Sequence, residues 1–162
     1  SLGAPPACEL AGVPNVSYNG STYSAGENTF IISSRIDWSP YFLYIVKQYC
    51  NGDAIAVDWT GTINTGSVLL TGLNQDVAAE GTKKAIDDAI AAFKAGTLKV
   101  FDTDTFTVGG AKKTTYLADV DDLGDYVGET EVIKDGYFAE SEYRSAPYFD
   151  LRIDGITELN NN

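Results

Sequence analysis

The acidic stretch DVDDLGDYVGETE, residues 119–131, has the composition from which calcium loops are built. An EF-hand loop requires oxygen ligands at positions 1, 3 and 5, Gly at position 6 and Glu at position 12. Counted from the first residue of the stretch, Asp121 and Gly124 fit this pattern, whereas Leu123 and Thr130 stand at positions 5 and 12 and do not. These mismatches favour a solvated acidic loop, and a calcium-stabilised surface domain is the weaker alternative.

The chain lacks the residue on which most acid–base catalysis depends. It has no histidine among 162 residues, which excludes Ser-His-Asp and Cys-His sites within it. Its 23 Asp and Glu against 11 Lys and Arg give a net charge of −12. Nucleic acids and anionic membranes both require a basic surface, so neither is an expected partner. No carboxylate pair is set apart by spacing, and the residues indicate no enzyme, no metal site and no cofactor.

Two further features can contact a small molecule. The stretch GTINTG, residues 61–66, lacks the lysine and the spacing of a phosphate loop. It predicts either a tight turn or the rim of a binding site, where glycine lets the backbone approach a ligand. Trp38 and Trp59 stand beside turns at strand ends, where ligands bind in open α/β folds. Stacking on a ligand and packing in the core are equal alternatives for both rings.

The elements that position these residues follow an α/β order. The patterns predict a short helix at 4–11 with Gly12 after its end, strands at 13–19 and 29–34, and a helix at 39–51. They then predict strand pieces at 54–59 and 67–70, a helix at about 76–95, a strand at 97–108 and a Gly109-Gly110 hairpin turn into a strand at 112–117. The strand at 13–19 is expected to be buried. This order favours a parallel sheet covered by helices. From Ala118 onward the chain is acidic, Tyr-rich and aperiodic, which indicates short strands or helical turns.

The two longer helices carry clear signals. In the first, Ser39 is the predicted N-cap, Pro40 suits the first position, and Asn51 and Gly52 end the helix. Its apolar stripe needs a covering partner and consists of Phe42, Ile45, Val46 and Tyr49. The second has the stripe Ile86, Ala89, Ile90 and Phe93, a Glu80–Lys84 pair at i,i+4, and Gly96 at its end.

Cys8 and Cys50 are the only cysteines, and free buried thiols are favoured over one disulfide between them. No apolar run approaches the roughly 18 residues of a membrane span. No signal peptide or lipid-attachment cysteine opens the chain, which begins in mid-pattern and has no Met. We therefore expect an expressed or clipped segment of a longer protein.

Several runs, in order, carry a resemblance to a known family. AGVPNVSYN, IISSRIDWSPYF, DWTGTINTGSVLLTGLN and FKAGTLKVF, within about Val13 to Val108, resemble the basic membrane protein family. Its members are substrate-binding lipoproteins of ABC importers, similar to purine nucleoside receptors. The resemblance implies the C-terminal portion of a type I periplasmic-binding-protein fold, in which a ligand is held between two lobes.

The resemblance also divides the chain. It implies a second-lobe strand and hinge crossing at 1–37, a first-lobe helix and return strands at 38–75, a helix with a strand and hairpin at 76–117, and an acidic tail at 118–162. The apolar stripe of the 39–51 helix would then pack on the remainder of the first lobe.

The family's binding positions are carried over only in part. The ligand-binding residues that the resemblance implies are Asn19, Ser34, Arg35, Trp38 and Asn64. Nucleoside-binding members have an acid where this chain has Asn19 and a lysine where it has Asn64. They also have a lysine near Ser34 and Arg35. An amide still bonds a hydroxyl but brings no charge, so the departures retain a binding protein and weaken the case for a nucleoside.

The expected function is therefore solute capture. The resemblance implies the extracytoplasmic component of an ABC importer, at the cell surface or in the periplasm, that binds a small polar, for example nucleoside-like, molecule. Its partner is a transporter permease, and a lipid anchor outside this segment provides its only membrane contact. Hinge closure on the ligand is the expected mechanism. The alternative is a cell-surface sensory or interaction module that uses the same fold without transport.

Overall fold

The computed structural model describes residues 3–121, 124–139, 142 and 151–157. The chain forms two compact units, an N-terminal unit of Ser1–Thr97 and a C-terminal unit of Leu98–Asn162. Their boundary falls inside the segment 76–117 of the sequence-based division. The assignment of segments to lobes stays a prediction.

The N-terminal unit combines three α-helices with a small mixed sheet. Its elements are α1 (Ala4–Ala11), β1 (Asn15–Tyr18), a 3-10 turn (Tyr23–Ala25), β2 (Phe30–Ile36), α2 (Ser39–Asn51), β3 (Val68–Leu70) and α3 (Thr82–Ala95). The strand order is β1-β2-β3, with β1 parallel and β3 antiparallel to β2. The predicted α/β class is confirmed, whereas the predicted parallel sheet is wrong.

The direction of β3 follows from where the chain returns to the sheet. Ile36, the last residue of β2, pairs with Val68, the first residue of β3. The backbone N–H of Asp37 then donates to the Ser67 carbonyl at 2.8 Å. Because the chain after α2 comes back to the carboxyl end of β2, the new strand can only run back along it.

Burial in this unit is concentrated on β2. Phe30, Ile32 and Ser33 are buried, whereas Val16 and Tyr18 of β1 are 67% and 70% exposed. The prediction of a strand near 13–19 is confirmed, but its burial is wrong. β1 is an edge strand, and its Val16 and Tyr18 face remains open to solvent.

Two predicted strands do not form. Residues 54–59 join no sheet, and Ile55 and Val57 are exposed. Residues 97–108 contribute only isolated bridges, at Asp102 and Val108. The strand expected at 112–117 is reduced to Leu117–Ala118. β-prone side chains form a strand only where another backbone edge supplies hydrogen bonds, and a local pattern cannot show this.

α2 begins and is capped differently from the prediction. Trp38 holds the N-cap position and Ser39 is already helical, so the Ser39 cap is wrong. The Asp37 carboxylate instead accepts the Ser39 backbone N–H at 2.9 Å. Hydrogen bonds from the Ser39 side chain and backbone lower the pKa of Asp37. Gly52, in the left-handed region at φ 75°, ends the helix as predicted.

The predicted apolar stripe of α2 is only partly covered. Ile45 is half-buried, whereas Phe42, Val46 and Tyr49 are exposed. The half-buried face is displaced by about one residue. It packs on the segment after the helix, where the Ala56 N–H donates to the Tyr44 hydroxyl at 2.8 Å. The exposed part of the stripe has no cover within the described residues.

α3 begins six positions later than its periodicity suggests. Asn74 accepts the Ala78 N–H in a separate turn, and Gly81 at φ 84° precedes the first helical residue, Thr82. Glu80 therefore lies outside the helix, and its predicted pairing with Lys84 is wrong. The ion pairs of the helix are Lys83–Asp87 and Lys84–Asp88, and Gly96 ends it as predicted.

Both cysteines are free, so the disulfide alternative is wrong. Cys8 is half-buried in α1, as a small hydrophobe can be, while Cys50 is exposed on α2. The expectation of burial thus fails for Cys50, because the helix face that carries it is uncovered.

The C-terminal unit is built from short antiparallel ribbons. β4 (Leu117–Ala118) pairs with β5 (Thr130–Glu131), and β6 (Ile133–Lys134) pairs with β7 (Tyr137–Phe138). Its buried cluster consists of Ala118, Val132, Ile133 and Phe138, against which Tyr116, Val120 and Leu151 pack. Short strands were predicted for this tail and are confirmed among the described residues.

The predicted Gly109-Gly110 turn is confirmed. Both glycines have positive φ, 62° and 79°, and Val108 donates its N–H to the Ala111 carbonyl at 2.9 Å. The Asp154 carboxylate fastens this turn to residues 151–157. It accepts the Thr107 hydroxyl at 2.6 Å and the N–H groups of Gly109 and Gly110 at 3.0 and 2.8 Å.

Acidification is expected to release residues 151–157 from the turn. The hydrogen bond from the Thr107 hydroxyl, followed by the one from the Gly110 N–H, lowers the pKa of Asp154 below its ordinary 3.8. A lowered pKa means that the stabilisation is complete above the ordinary value and is lost as the pH falls through the folded-state pKa. Amide chemical shifts of Gly109 and Gly110, followed by NMR from neutral pH into acid, measure the release.

Asp154→Asn provides the comparison. An amide oxygen has no charge to titrate, so this variant should show weakened turn contacts at neutral pH and no titration of the two glycine amides in acid. An unchanged titration in the variant would assign the effect to another carboxylate.

Candidate functional site

The sheet topology gathers the predicted binding residues at one edge. β1 and β2 are parallel, so their carboxyl ends meet, with Tyr18 opposite Ser34. β3 is antiparallel and starts at this edge, with Val68 opposite Ile36. The loop before β3, residues 61–66, therefore reaches the same place. We call this end of the sheet, where the carboxyl ends of β1 and β2 meet the start of β3, the carboxyl edge, and it is the candidate site.

Asn19 and Ser34 are held beside each other by the backbone. Asn19 follows β1 in the left-handed region, at φ 65°, which asparagine tolerates better than most residues. The Gly20 N–H then donates to the Ser34 carbonyl at 3.3 Å. Asn19 is exposed, and its side-chain amide makes no hydrogen bond within the described part of the chain, so its donor and acceptor are open to a ligand.

Arg35 stands at the same edge with a weak internal partner. Its guanidinium lies 3.4 Å from the Asp37 carboxylate, and both side chains are substantially exposed. Exposed ion pairs of this kind contribute little to stability. Arg35 can therefore turn its remaining donors toward a bound molecule without a large loss of folding energy.

The two tryptophans have different environments. Trp38 is 59% exposed; its ring lies 6.2 Å from that of Tyr41 in an edge-on arrangement and 6.4 Å from that of Phe42 in a tilted one. Trp59 is half-buried, lies 5.2 Å from Tyr41 and stacks on Tyr44 at 6.5 Å. Trp59 thus packs against α2, while Trp38 retains an exposed ring surface at the site.

The 61–66 loop is a tight turn closed by its own threonines. The Thr62 N–H donates to the Thr65 hydroxyl at 2.8 Å, and the Thr65 N–H returns to the Thr62 hydroxyl at 3.2 Å. Asn64 is exposed between them. The Ser67 N–H donates to the Thr62 carbonyl at 3.1 Å and joins the turn to β3. The interpretation of GTINTG as a tight turn is confirmed, and its role as the rim of a binding site stays a prediction.

Ser67 and Gly61 form a close contact under this turn. Ser67 is only 4% exposed, and its hydroxyl has no hydrogen-bond partner among the described residues. A Cβ on Gly61 would lie 2.6 Å from the Ser67 Cβ and 3.1 Å from the Trp59 ring. Sequence reasoning noted Gly61 but missed Ser67 and Asp37, since nothing local marks the backbone bond that joins them.

A cavity of about 530 Å³ at the opposite edge contains none of the predicted residues. It is lined in part by Tyr23, Phe30 and Asn74. The Asn74 side-chain amide already donates to the Glu27 and Phe30 carbonyls, at 3.0 and 2.9 Å. The Asn74 side-chain amide is therefore used in bonds within the fold, and the carboxyl edge remains the better candidate site.

The acidic stretch of the C-terminal unit is partly structural. Burial, followed by the charges of Asp121, Glu129 and Asp125, raises the pKa of Asp119, which is 5% exposed. Glu129 is occupied by the Val120 N–H at 2.9 Å. Positions 122 and 123 lie outside the described residues. Among the residues that the structure describes, no three Asp, Glu or Cys side chains are grouped so that they could hold a metal ion.

No family model, curated protein or solved structure matches this chain. The resemblance to the basic membrane protein family therefore stays a prediction. Within the described ranges, no helix is both long and apolar enough to cross a membrane.

Proposed function

We propose that the carboxyl edge of the sheet is one wall of the ligand site of a solute-binding protein, the extracytoplasmic component of an ABC importer. The observation that supports this most is the convergence of the strand ends. Because β1 and β2 are parallel and β3 returns antiparallel, Asn19, Ser34, Arg35, Trp38 and Asn64 all lie at or just beyond the strand ends on the same side of the sheet. Four come from the ends of β1 and β2 and one from the turn before β3.

The exposed groups define the chemistry of the ligand. The Trp38 ring offers a face on which a planar or sugar ring can stack. Arg35 supplies N–H donors, and the amides of Asn19 and Asn64 supply both donors and acceptors. This set suits a small, uncharged or singly anionic molecule with a ring and several hydroxyl or carbonyl groups, nucleosides included.

The proposed mechanism is closure of two lobes around the ligand. Each lobe contributes contacts, so the ligand favours the closed state by its differential affinity. The carboxyl edge supplies contacts from one side. The 162-residue chain by itself is therefore expected to bind only weakly, with Kd on the order of 1 mM. Delivery of the ligand to a permease and attachment to the membrane through a lipid anchor are further parts of this proposal.

Ligand-observed NMR tests the proposal, because saturation-transfer signals detect weak binding. Pools of nucleosides, nucleobases, sugars and amino acids are presented to the chain. We expect one chemical class to give signals, and we expect Trp38→Ala and Arg35→Ala each to reduce them severalfold. Tyr49→Ala is the matched control, since Tyr49 is an exposed aromatic residue at the far end of α2.

Two results would contradict the proposal. One is the absence of signals from every polar pool. The other is a signal that survives Trp38→Ala and Arg35→Ala but disappears in Tyr49→Ala, which would place the binding surface elsewhere on α2.

A further inference from the structure

We propose that the exposed segment Ala54–Val57 of one copy of this chain adds as a strand to the free edge of β3 in a second copy, and that two copies exchange these segments reciprocally. The inference combines an acceptor surface and a donor segment that both lie in the N-terminal unit. It does not depend on the proposed transport function.

The acceptor surface is the outer edge of β3 with the groove beside it. β3 is the last strand of the sheet, so one of its edges is unpaired within the described chain. Hydrogen bonds between β2 and β3 join the Asp37 N–H to the Ser67 carbonyl and the Thr71 N–H to the Ser33 carbonyl. Because such bonds involve every second residue of an antiparallel strand, the backbone N–H and carbonyl of Leu69 also face β2. The backbone of Leu70 and the Val68 carbonyl consequently point outward and can accept a new strand.

An apolar groove of about 400 Å³ lies between β3 and α3. β3 contributes Val68 and Leu70 to it, and α3 contributes Ile86, Ile90 and Phe93. These α3 residues belong to the apolar stripe of the helix, and each remains partly exposed. The groove therefore offers apolar contacts to alternate side chains of an added strand.

The donor segment has matching chemistry. Its sequence, AIAV, predicts a strand, but Ile55 and Val57 are exposed and join no sheet. One side of its backbone is bonded to α2. The Gln48 side-chain amide donates to the Ala54 carbonyl, and the Ala56 N–H donates to the Tyr44 hydroxyl, both at 2.8 Å. Ile55 and Val57, two residues apart, would share one face of an added strand.

Charge complementarity favours this pairing. Asp53 and Asp58 flank the donor segment and are both exposed. Lys94 lines the groove, and it makes no ion pair with any residue that the structure describes. A carboxylate at one end of the added segment can therefore meet the single cation of the groove. Reciprocal exchange forms a closed twofold assembly, the commonest symmetry of soluble oligomers.

The association is expected to be weak and to depend on salt. Each contact involves a four-residue segment, well below the roughly 800 Å² per partner of a stable interface. Two chains of net charge −12 also repel each other, and salt screens that repulsion. Sedimentation velocity over about a 100-fold range of protein concentration should show a monomer–dimer equilibrium that shifts toward dimer at higher ionic strength.

Substitutions in the two halves test the pairing. Val57→Asp places a charge on the donor, and Ile90→Asp places one in the groove; each should weaken dimerisation about tenfold or more. Val57 is fully exposed, so its substitution leaves the fold intact. Circular dichroism shows whether the Ile90 variant keeps its helical content. Lys94→Glu, at an exposed position, is a second groove variant, and its effect does not depend on helix packing. Val127→Asp, at an exposed valine of the C-terminal unit, is the matched control.

Mixing the two variants provides the most specific result. A mixed dimer of Val57→Asp and Ile90→Asp retains one intact donor and one intact groove facing each other, so association should be partly restored. Failure of the wild type to dimerise at any salt concentration would overturn the proposal. So would a dimer that persists in both Val57→Asp and Lys94→Glu, or the absence of recovery on mixing.

Discussion

Replacing Phe138 with Ala is expected to destabilise the C-terminal unit by about 3–5 kcal/mol, the usual consequence of removing a buried aromatic ring. Phe138 is 6% exposed and belongs to the cluster that contains Val132 and Ile133. Its ring lies 5.7 Å from that of Tyr116. Small units bury little surface and are only marginally stable, so a loss of this size should leave most molecules with the unit unfolded.

Hydrogen exchange at the Val132 amide measures this effect, because that amide donates to the Tyr116 carbonyl at 3.0 Å inside the cluster. Its protection should be lost in Phe138→Ala. Val127→Ala serves as the control, since Val127 is exposed and its truncation should change the free energy of unfolding by less than about 0.5 kcal/mol. If the Val132 amide stayed protected in the Phe138 variant, the cluster would not be what holds this unit together.

The substitution Gly61→Ala is expected to disrupt the candidate site while leaving its polar residues unchanged. The added methyl would lie 2.6 Å from the Ser67 Cβ, a separation that forces one of the two to move. Ser67 is buried and tied to the end of β2 through the Asp37 N–H. The turn must therefore shift or the junction must open, at a cost of about 1–3 kcal/mol.

Two measurements report on the Gly61 variant. Thermal unfolding gives the loss of stability, and ligand-observed NMR gives the loss of binding as the Asn64 turn moves away from Arg35 and Trp38. Gly72→Ala is the matched control, because a Cβ there meets nothing within 4 Å and the backbone does not need glycine. Equal behaviour of the two variants would mean that the turn accommodates a methyl group and that its closeness to Ser67 is unimportant.

The exposed stripe of α2 leaves an apolar surface on the N-terminal unit. Phe42, Val46 and Tyr49 repeat at helical spacing, yet they face solvent because the helix packs on residues 54–59 through its Tyr44 side. A surface of this kind on a protein is typical of an interaction site. Coverage of this stripe by the remainder of a first lobe stays a prediction.

The features that the amino-acid sequence determined by itself are local ones. The helix ends at Gly52 and Gly96 and the turn at Gly109-Gly110 depend on which residues tolerate positive φ, and this is a property of a few neighbouring atoms. Even so, local signals can compete. Ser39 and Asp37 both offer an oxygen to the start of α2, and only the backbone path after β2 selected Asp37.

Tertiary structure decided which β-prone segments became strands and which of the predicted binding residues lie at the same end of the sheet. AIAV at 54–57 and the stretch 97–108 have strand-like composition, but a strand requires hydrogen bonds from a distant edge, and no local pattern records whether that edge is present. The convergence of Asn19, Arg35 and the 61–66 turn likewise depends on strand order and direction. Local propensities act over a few residues, whereas the pairing of distant edges is settled by the free energy of the whole fold.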